Sequence, residues 1–120
     1  MTLRCVIVDD NASFREEVRG LLQEQGLDVV GTAATADDAA RLIEQRRPDV
    51  ALIDIDLGGD SGLDLARRLA DGADHVVPRM ILISTHDECE YSDLIAASPA
   101  DAFLAKSDLS ASAIRRALFD

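Results

Sequence analysis

Three aspartates and a lysine are the residues of this chain best suited to chemistry, because each stands where a short apolar run ends. Asp9 and Asp10 follow Val6–Val8, Asp54 closes the run from Val50 to Ile53, and Lys106 comes directly after Ala102–Ala105. Ser84 and Thr85 hold the same place after Met80–Ile83. If these runs are parallel strands of one sheet, all of these side chains gather at one edge of it. Three carboxylates brought together repel one another, so the arrangement calls for a proton or a cation. A donor set of oxygens without histidine suits a hard ion, and Mg²⁺ prefers one or two carboxylates completed by water and phosphate oxygens. On this reading Asp10 and Asp54 are direct ligands and Asp9 acts through a bound water. A carboxylate beside such an ion is also a nucleophile toward phosphorus, with Lys106 as a fixed positive charge and Ser84 as a hydroxyl donor.

The elements that must position these residues are visible as alternating apolar runs and amphipathic stretches. The spacing predicts a strand over Leu3–Val8 and a helix over Asn11–Gln25 with Phe14, Val18, Leu21 and Leu22 on one face, stopped by Gly26. A second strand, Val29–Ala33, leads to Thr35 and Asp38, which resemble a capping box opening a helix through Arg47 with Ala39, Leu42 and Ile43 inward. Pro48 ends that helix, and Val50–Ile53 is the third strand. Gly58–Gly62 reads as a loop and Leu63–Ala70 as a third helix with Leu65, Ala66 and Leu69 inward. Met80–Ile83 is a fourth strand. Glu88–Ala97 is a weaker fourth helix whose apolar side is Tyr91, Leu94 and Ile95, with Pro99 soon after. Ala102–Ala105 is a short fifth strand, and Ser110 caps a last helix carrying Ile114, Ala117 and Leu118. Strand-then-helix units whose strands are apolar on both faces describe an α/β fold with a parallel sheet covered on both sides. Residues 1–120 read as one domain.

Composition narrows the function classes. The 120 residues are 48% hydrophobic and 29% charged, a globular balance, and the net charge is −11. A chain this acidic is repelled by phosphate backbones and anionic lipid, which argues against direct binding of nucleic acid or a membrane surface. Aromatic content is 3% with no Trp, so the stacking platforms of single-strand binders are missing. No run approaches the ~20 apolar residues of a membrane helix, and Asp9–Asp10 cut short the first apolar stretch, so a cytoplasmic location is expected. Cys5 reads as a small core residue and Cys89 as a partly exposed one, neither at metal-ligand spacing. His75 reads as solvated.

Together, Val6–Asp10, Asp49–Leu57 with the glycine-rich loop after it, Ile83–Asp87 and Ala102–Lys106 resemble the receiver domain of two-component response regulators, a flavodoxin-like and chemotaxis-regulator-like fold. The resemblance covers essentially the whole chain in order. It implies a doubly wound five-stranded sheet of order 2-1-3-4-5. It further implies that Asp54 is the phospho-acceptor, that Asp9 and Asp10 hold Mg²⁺ with Asp54, and that the backbone carbonyl of Asp56 is a further ligand. Ser84 takes the switch hydroxyl position, Lys106 the lysine position and Phe103 the switch aromatic position. Asp56, Thr85 and His86 stand where such domains tune dephosphorylation. The implied partners are a histidine kinase or phosphotransfer protein, and a second copy across the face of the fourth helix, fifth strand and fifth helix. Gly58 and Ser107 stand where Pro is common, which makes the loop after Asp54 more flexible; the resemblance implies a cis bond after Lys106, which without Pro costs ~3 kcal/mol, so the sequence leaves the Lys106–Ser107 isomer open.

Each residue alone has a duller explanation: an Asp-Asp pair is often a turn, Phe103 alone a core residue, and Lys106 alone a solvated one. Their joint placement at separate strand exits is what carries weight. Asp54-Ile-Asp56 also matches the nucleophile motif of haloacid-dehalogenase-like phosphatases, but Asp9–Asp10 has no role there. A flavodoxin-like cofactor binder would need a hydroxyl- and glycine-rich loop after the first strand, and a degenerate receiver acting only as an interaction module would not keep all five groups. The chain is therefore expected to be a phospho-acceptor rather than a turnover enzyme. The stretch Phe103–Leu109 resembles receivers joined to a C-terminal helix-turn-helix, so of a stand-alone receiver and the front of a longer regulator the second is the expectation.

Overall fold

The structure, a computed structural model, describes residues 3–71, 78–85, 93 and 96–119. Five parallel strands form its sheet in the order β2-β1-β3-β4-β5, where β1 is Arg4–Val8, β2 Asp28–Ala33, β3 Val50–Asp54, β4 Arg79–Ser84 and β5 Ala102–Ala105. This is the doubly wound order expected from the sequence. The three inner strands are almost wholly buried because helices cover both sides, which is why they read as continuous apolar runs rather than alternating ones.

Alternate strand residues feed two separate cores. Cys5, Ile7, Val50, Leu52, Ile81 and Ile83 face α1 (Ala12–Glu24) and the C-terminal helix (Ala111–Phe119), meeting Val18, Leu22, Ile114 and Leu118. Val6, Val8, Ala51, Ile53, Met80 and Leu82 face α2 (Ala36–Arg46) and α3 (Gly62–Asp71). Burial pushes the Cys5 thiol up to about 12, so the residue is an inert core group, as its apolar setting predicts.

Local chemistry sets the helix ends. Asn11 Oδ1 accepts from the Phe14 N–H at 3.1 Å, Thr35 Oγ1 from Asp38 N–H at 3.2 Å and Ser110 Oγ from Ala113 N–H at 3.0 Å. The expected box at Thr35 is only half formed, because the Asp38 carboxylate turns to Arg41 instead. The helix predicted through Arg47 stops at Arg46: Arg47 precedes Pro48, which disfavours a right-handed helical residue, and adopts φ 47°. Leu21, predicted on the inner face of α1, is 37% exposed. The inward stripe runs through Phe14, Val18 and Leu22, one residue per turn, and Leu21 lies at its border.

The segment after Asp54, read as a loop, contains a short antiparallel hairpin pairing Asp56–Leu57 with Asp60–Ser61. The Asp60 carboxylate accepts from the Ala36 N–H at 3.0 Å, tying this hairpin to the first turn of α2. The predicted helix over Glu88–Ala97 falls largely outside the described residues, as do Cys89, Tyr91, Leu94, Ile95, His75 and His86. Asp93 and Ala96 within it are helical, and the Ala97 N–H donates to the Asp93 carbonyl.

Gly62 opens α3 directly against the site strand. A Cβ there would lie 2.0 Å from the Asp54 carbonyl oxygen and 3.0 Å from the Ile53 side chain, whereas one at Gly59 meets nothing within 4 Å. Gly62→Ala is therefore expected to lower the unfolding free energy by about 3 kcal/mol in urea titrations, with Gly59→Ala close to wild type. Equal midpoints for the two variants would contradict this packing.

Candidate functional site

Strand register brings the predicted residues to one edge. Val8 pairs with Ile53, Asp54 with Ile83 and Ser84 with Ala105, so the next residues out are Asp9, Asp54, Ser84–Thr85 and Lys106. Continuing the alternation along each strand, Asp9, Asp54 and Lys106 lie on the α1 side, while Ser84 and Phe103 lie on the α3 side. Asp9, Asp54 and Ser84 are the buried polar side chains among the described residues.

Asp9 is held from three directions. Its N–H donates to the Ala33 carbonyl, its Oδ1 accepts from the Asn11 N–H at 2.9 Å, and its carbonyl accepts from Arg15 Nη1 at 2.7 Å. Asp54 Oδ1 accepts from the Asp56 N–H at 3.1 Å. Between the two acids sits the Lys106 ammonium, donating to Asp54 Oδ2 at 2.9 Å and lying 2.6 Å from Asp9 Oδ2. The contact with Asp9 is an ion pair without hydrogen-bond alignment, so the fully buried Asp9 Oδ2 keeps an unmet acceptor.

The titration directions follow from this imbalance. Burial alone would push the Lys106 pKa down, but the hydrogen bond to Asp54 and the close negative charges of Asp9 and Asp54 outweigh it, and the net direction is up. Asp54 is also raised: its burial, with the Asp9 charge adding to it, outweighs Lys106 and the Asp56 N–H, which hold it down. A simple ion pair would have lowered Asp54. One ammonium facing two buried carboxylates does not compensate both.

That shortfall is what a cation would meet. One oxygen from each of Asp9, Asp10 and Asp54 lies within 4.8 Å of the others, and Asp10 is exposed at the rim. Gly58 has φ 74°, and a Cβ on it would come 3.0 Å from Asp10 Oδ2, so glycine lets the loop close over that carboxylate. An oxygen-only cluster with an orphaned buried acceptor fits a hard divalent ion.

The remaining predicted residues are placed less tightly. Asp56 is exposed, and its Oδ1 accepts from the Gly58 N–H at 3.0 Å. Thr85 is exposed just beyond β4. Phe103 is half-buried against the α2–α3 core. No described peptide bond is cis, so Lys106–Ser107 is trans. Sequence reasoning missed three contributors: Asn11, Arg15 and Phe14, whose ring centroid lies 4.3 Å from Lys106 Nζ. Phe14 reads as a core residue because it shares the inward stripe of α1, and only its proximity to Asp9–Asp10 in sequence hints at more.

The chain matches the sequence pattern of the response regulator receiver domain over residues 5–118. It belongs to that family. It is 35% identical over 104 residues to protein-glutamate methylesterase/protein-glutamine glutaminase 4 of Geobacter metallireducens, covering 86% of this chain and 29% of that protein. This receiver domain thus spans under a third of that relative. Among solved structures it resembles the signal receiver domain of the response regulator NarL from Mycobacterium tuberculosis, with TM-score 0.85 and 30% identity over 99% of this chain and 98% of that one. It also resembles a Burkholderia pseudomallei response regulator solved with a phosphorylated aspartic acid, a calcium ion and citrate, with TM-score 0.81 and 26% identity over 97% of this chain and 66% of that one.

Removing the ammonium leaves two buried carboxylates facing each other. In chelator-treated protein, Lys106→Met is expected to cost about 3 kcal/mol of unfolding free energy, and clearly less in an Asp54→Asn background. The same loss in both backgrounds, read from urea midpoints, would show that the pair does not carry this charge balance.

Proposed function

We propose that residues 1–120 form one receiver domain that accepts a phosphoryl group on Asp54 from a histidine kinase or phosphotransfer protein. The observation that carries this reading is the buried Asp9–Lys106–Asp54 cluster at the carboxyl edge of the sheet, with Asp10 at its rim. The phosphorylated aspartic acid and calcium ion of the Burkholderia pseudomallei relative support it.

In the transfer, an Asp54 carboxylate oxygen forms the new O–P bond as the P–N bond of the donor's phosphohistidine breaks, and the electron pair leaves with the imidazole nitrogen. Lys106 offers a positive charge to the transferring oxygens, and Ser84 a hydroxyl from the neighbouring strand exit. Asp9, Asp10, Asp54 and the Asp56 carbonyl are the residues that would hold Mg²⁺. When bound, that ion neutralises charge on the phosphoryl oxygens. The exposed Asp56 carboxylate and Thr85 stand beside the site, and they, with His86 at the matching sequence position, tune the lifetime of the acyl phosphate.

The product carries more negative charge and more acceptor oxygens than the carboxylate it replaces. Ser84 and Phe103 lie on the same face of the sheet, so a pull on the Ser84 hydroxyl is transmitted to the packing of Phe103 beside β5. The output is a shift in the surface around the fourth helix, β5 and the C-terminal helix, used for partner binding or homodimerisation in a cytoplasmic phosphorelay. Likeness to the transcriptional regulatory protein DegU of Brevibacillus brevis, of which this chain covers 44%, favours a role in transcription regulation, with no direct nucleic-acid contact by this domain. A phosphatase reading would need Asp56 as an acid beside the phosphorus, and its Oδ1 instead serves Gly58.

Incubation with acetyl phosphate and Mg²⁺ is expected to add one phosphoryl group, seen as intact mass, to wild type and none to Asp54→Ala. Equal labelling of both would remove Asp54 as acceptor. Without any donor, Mg²⁺ at ten times its Kd should raise the melting temperature by about 5 °C. Asp10→Asn should lose most of that rise, and an unchanged rise would reassign the metal ligands.

A further inference from the structure

The Lys106 ammonium has a third neighbour besides its two carboxylates, the face of the Phe14 ring, 4.3 Å from Nζ to centroid. The lysine side chain is only 14% exposed, so the ammonium meets these three groups largely out of water. A cation over an aromatic face is attracted by the ring quadrupole, and more strongly where water is thinned out. Leucine in the same place would exclude water equally and supply no such attraction.

The ring is also fixed in place by the turn that fixes Asp9. Asn11 Oδ1 accepts from the Phe14 N–H, the Asn11 N–H donates to Asp9 Oδ1, and Arg15 Nη1 donates to the Asp9 carbonyl. One helical turn therefore sets one of the acids and the apolar wall of the ammonium together.

We propose that Phe14 is a positioning residue for phosphoryl acceptance, holding the Lys106 ammonium at the carboxylate edge through its ring face; this rests on the reading of Asp54 as acceptor. The cation must pass from Asp54 Oδ2 to a phosphoryl oxygen as the new bond forms. A hydrogen-bonding side chain in place of the ring would hold Nζ by a directional bond that has to break. Attraction to a ring face is broad, so Nζ slides across it and stays out of solvent.

Initial rates of labelling by acetyl phosphate and Mg²⁺ test this in wild type, Phe14→Leu, Phe14→Tyr, Lys106→Met and the Phe14→Leu/Lys106→Met double variant. Phe14→Leu is expected to slow labelling about three- to tenfold, and Phe14→Tyr to stay near wild type. In the Lys106→Met background Phe14→Leu should change the rate by less than about twofold. In unphosphorylated protein the Lys106 Hε resonances, assigned by their loss in Lys106→Met, should be shifted upfield by the ring, an effect kept in Phe14→Tyr and lost in Phe14→Leu. Wild-type rates in Phe14→Leu, or equal slowing with and without Lys106, would overturn the proposal. Should Phe14→Leu fail to fold, unshifted Lys106 resonances in wild type would overturn it by themselves. Absence of labelling in wild type would instead overturn the acceptor reading, and the positioning role with it, while leaving the ring-current shift in place.

Discussion

Two buried carboxylates share one ammonium, and the architecture around them exists to hold that unequal set together. Asp9 and Asp54 come from adjacent central strands, so no rotation of a surface side chain can relieve their repulsion. Lys106 reaches them from the sheet edge, across the intervening strand β4. The backbone donors of Asn11 and Asp56 take up one oxygen of each acid, and the shared cation faces the other. What is left over, an acceptor on Asp9 and an exposed Asp10, gives the site its appetite for further positive charge.

Sheet pleating separates two kinds of residue at this edge. The charged set lies toward α1 and the C-terminal helix, where Phe14 backs the ammonium. Ser84 and Phe103 lie toward α3, in the other core. A group built onto Asp54 can therefore engage the first set through charge and the second through a hydroxyl, and the second lies on the face where Phe103 of β5 packs.

Much of this was legible in the sequence because the deciding signals are local. An apolar run that stops at a charged or hydroxyl residue marks both a buried strand and its exit, and four such exits mark the edge where these side chains meet. The caps at Asn11, Thr35 and Ser110 are equally short-range. Signals failed where the answer depends on distant partners. Leu21 fits a helical periodicity, yet it lies at the border of the inward stripe of α1 and is largely outside the contact. Asp38 has the spacing of a capping box, yet Arg41 competes for its carboxylate. Asp9 and Lys106 read as sharing one edge, and nothing in the local sequence shows that their charged atoms lie 2.6 Å apart. Gly58–Gly62 looked like an unstructured turn because a two-residue hairpin leaves no periodic trace. Phe14 was hidden by its own consistency, since a residue on the inward stripe of a helix needs no other explanation.

The bond from Asp60 to the Ala36 N–H gives that hairpin a second anchor. The segment running from Asp54 through Gly58 to Gly62 is pinned at one end by the sheet and at the other by a neighbouring helix, so it behaves as a strap under a buckle rather than a free flap. The setting of Gly58 over Asp10 is then written partly in α2, more than twenty residues away in sequence, and a change in the first turn of that helix is felt at the rim of the site without touching any residue in it.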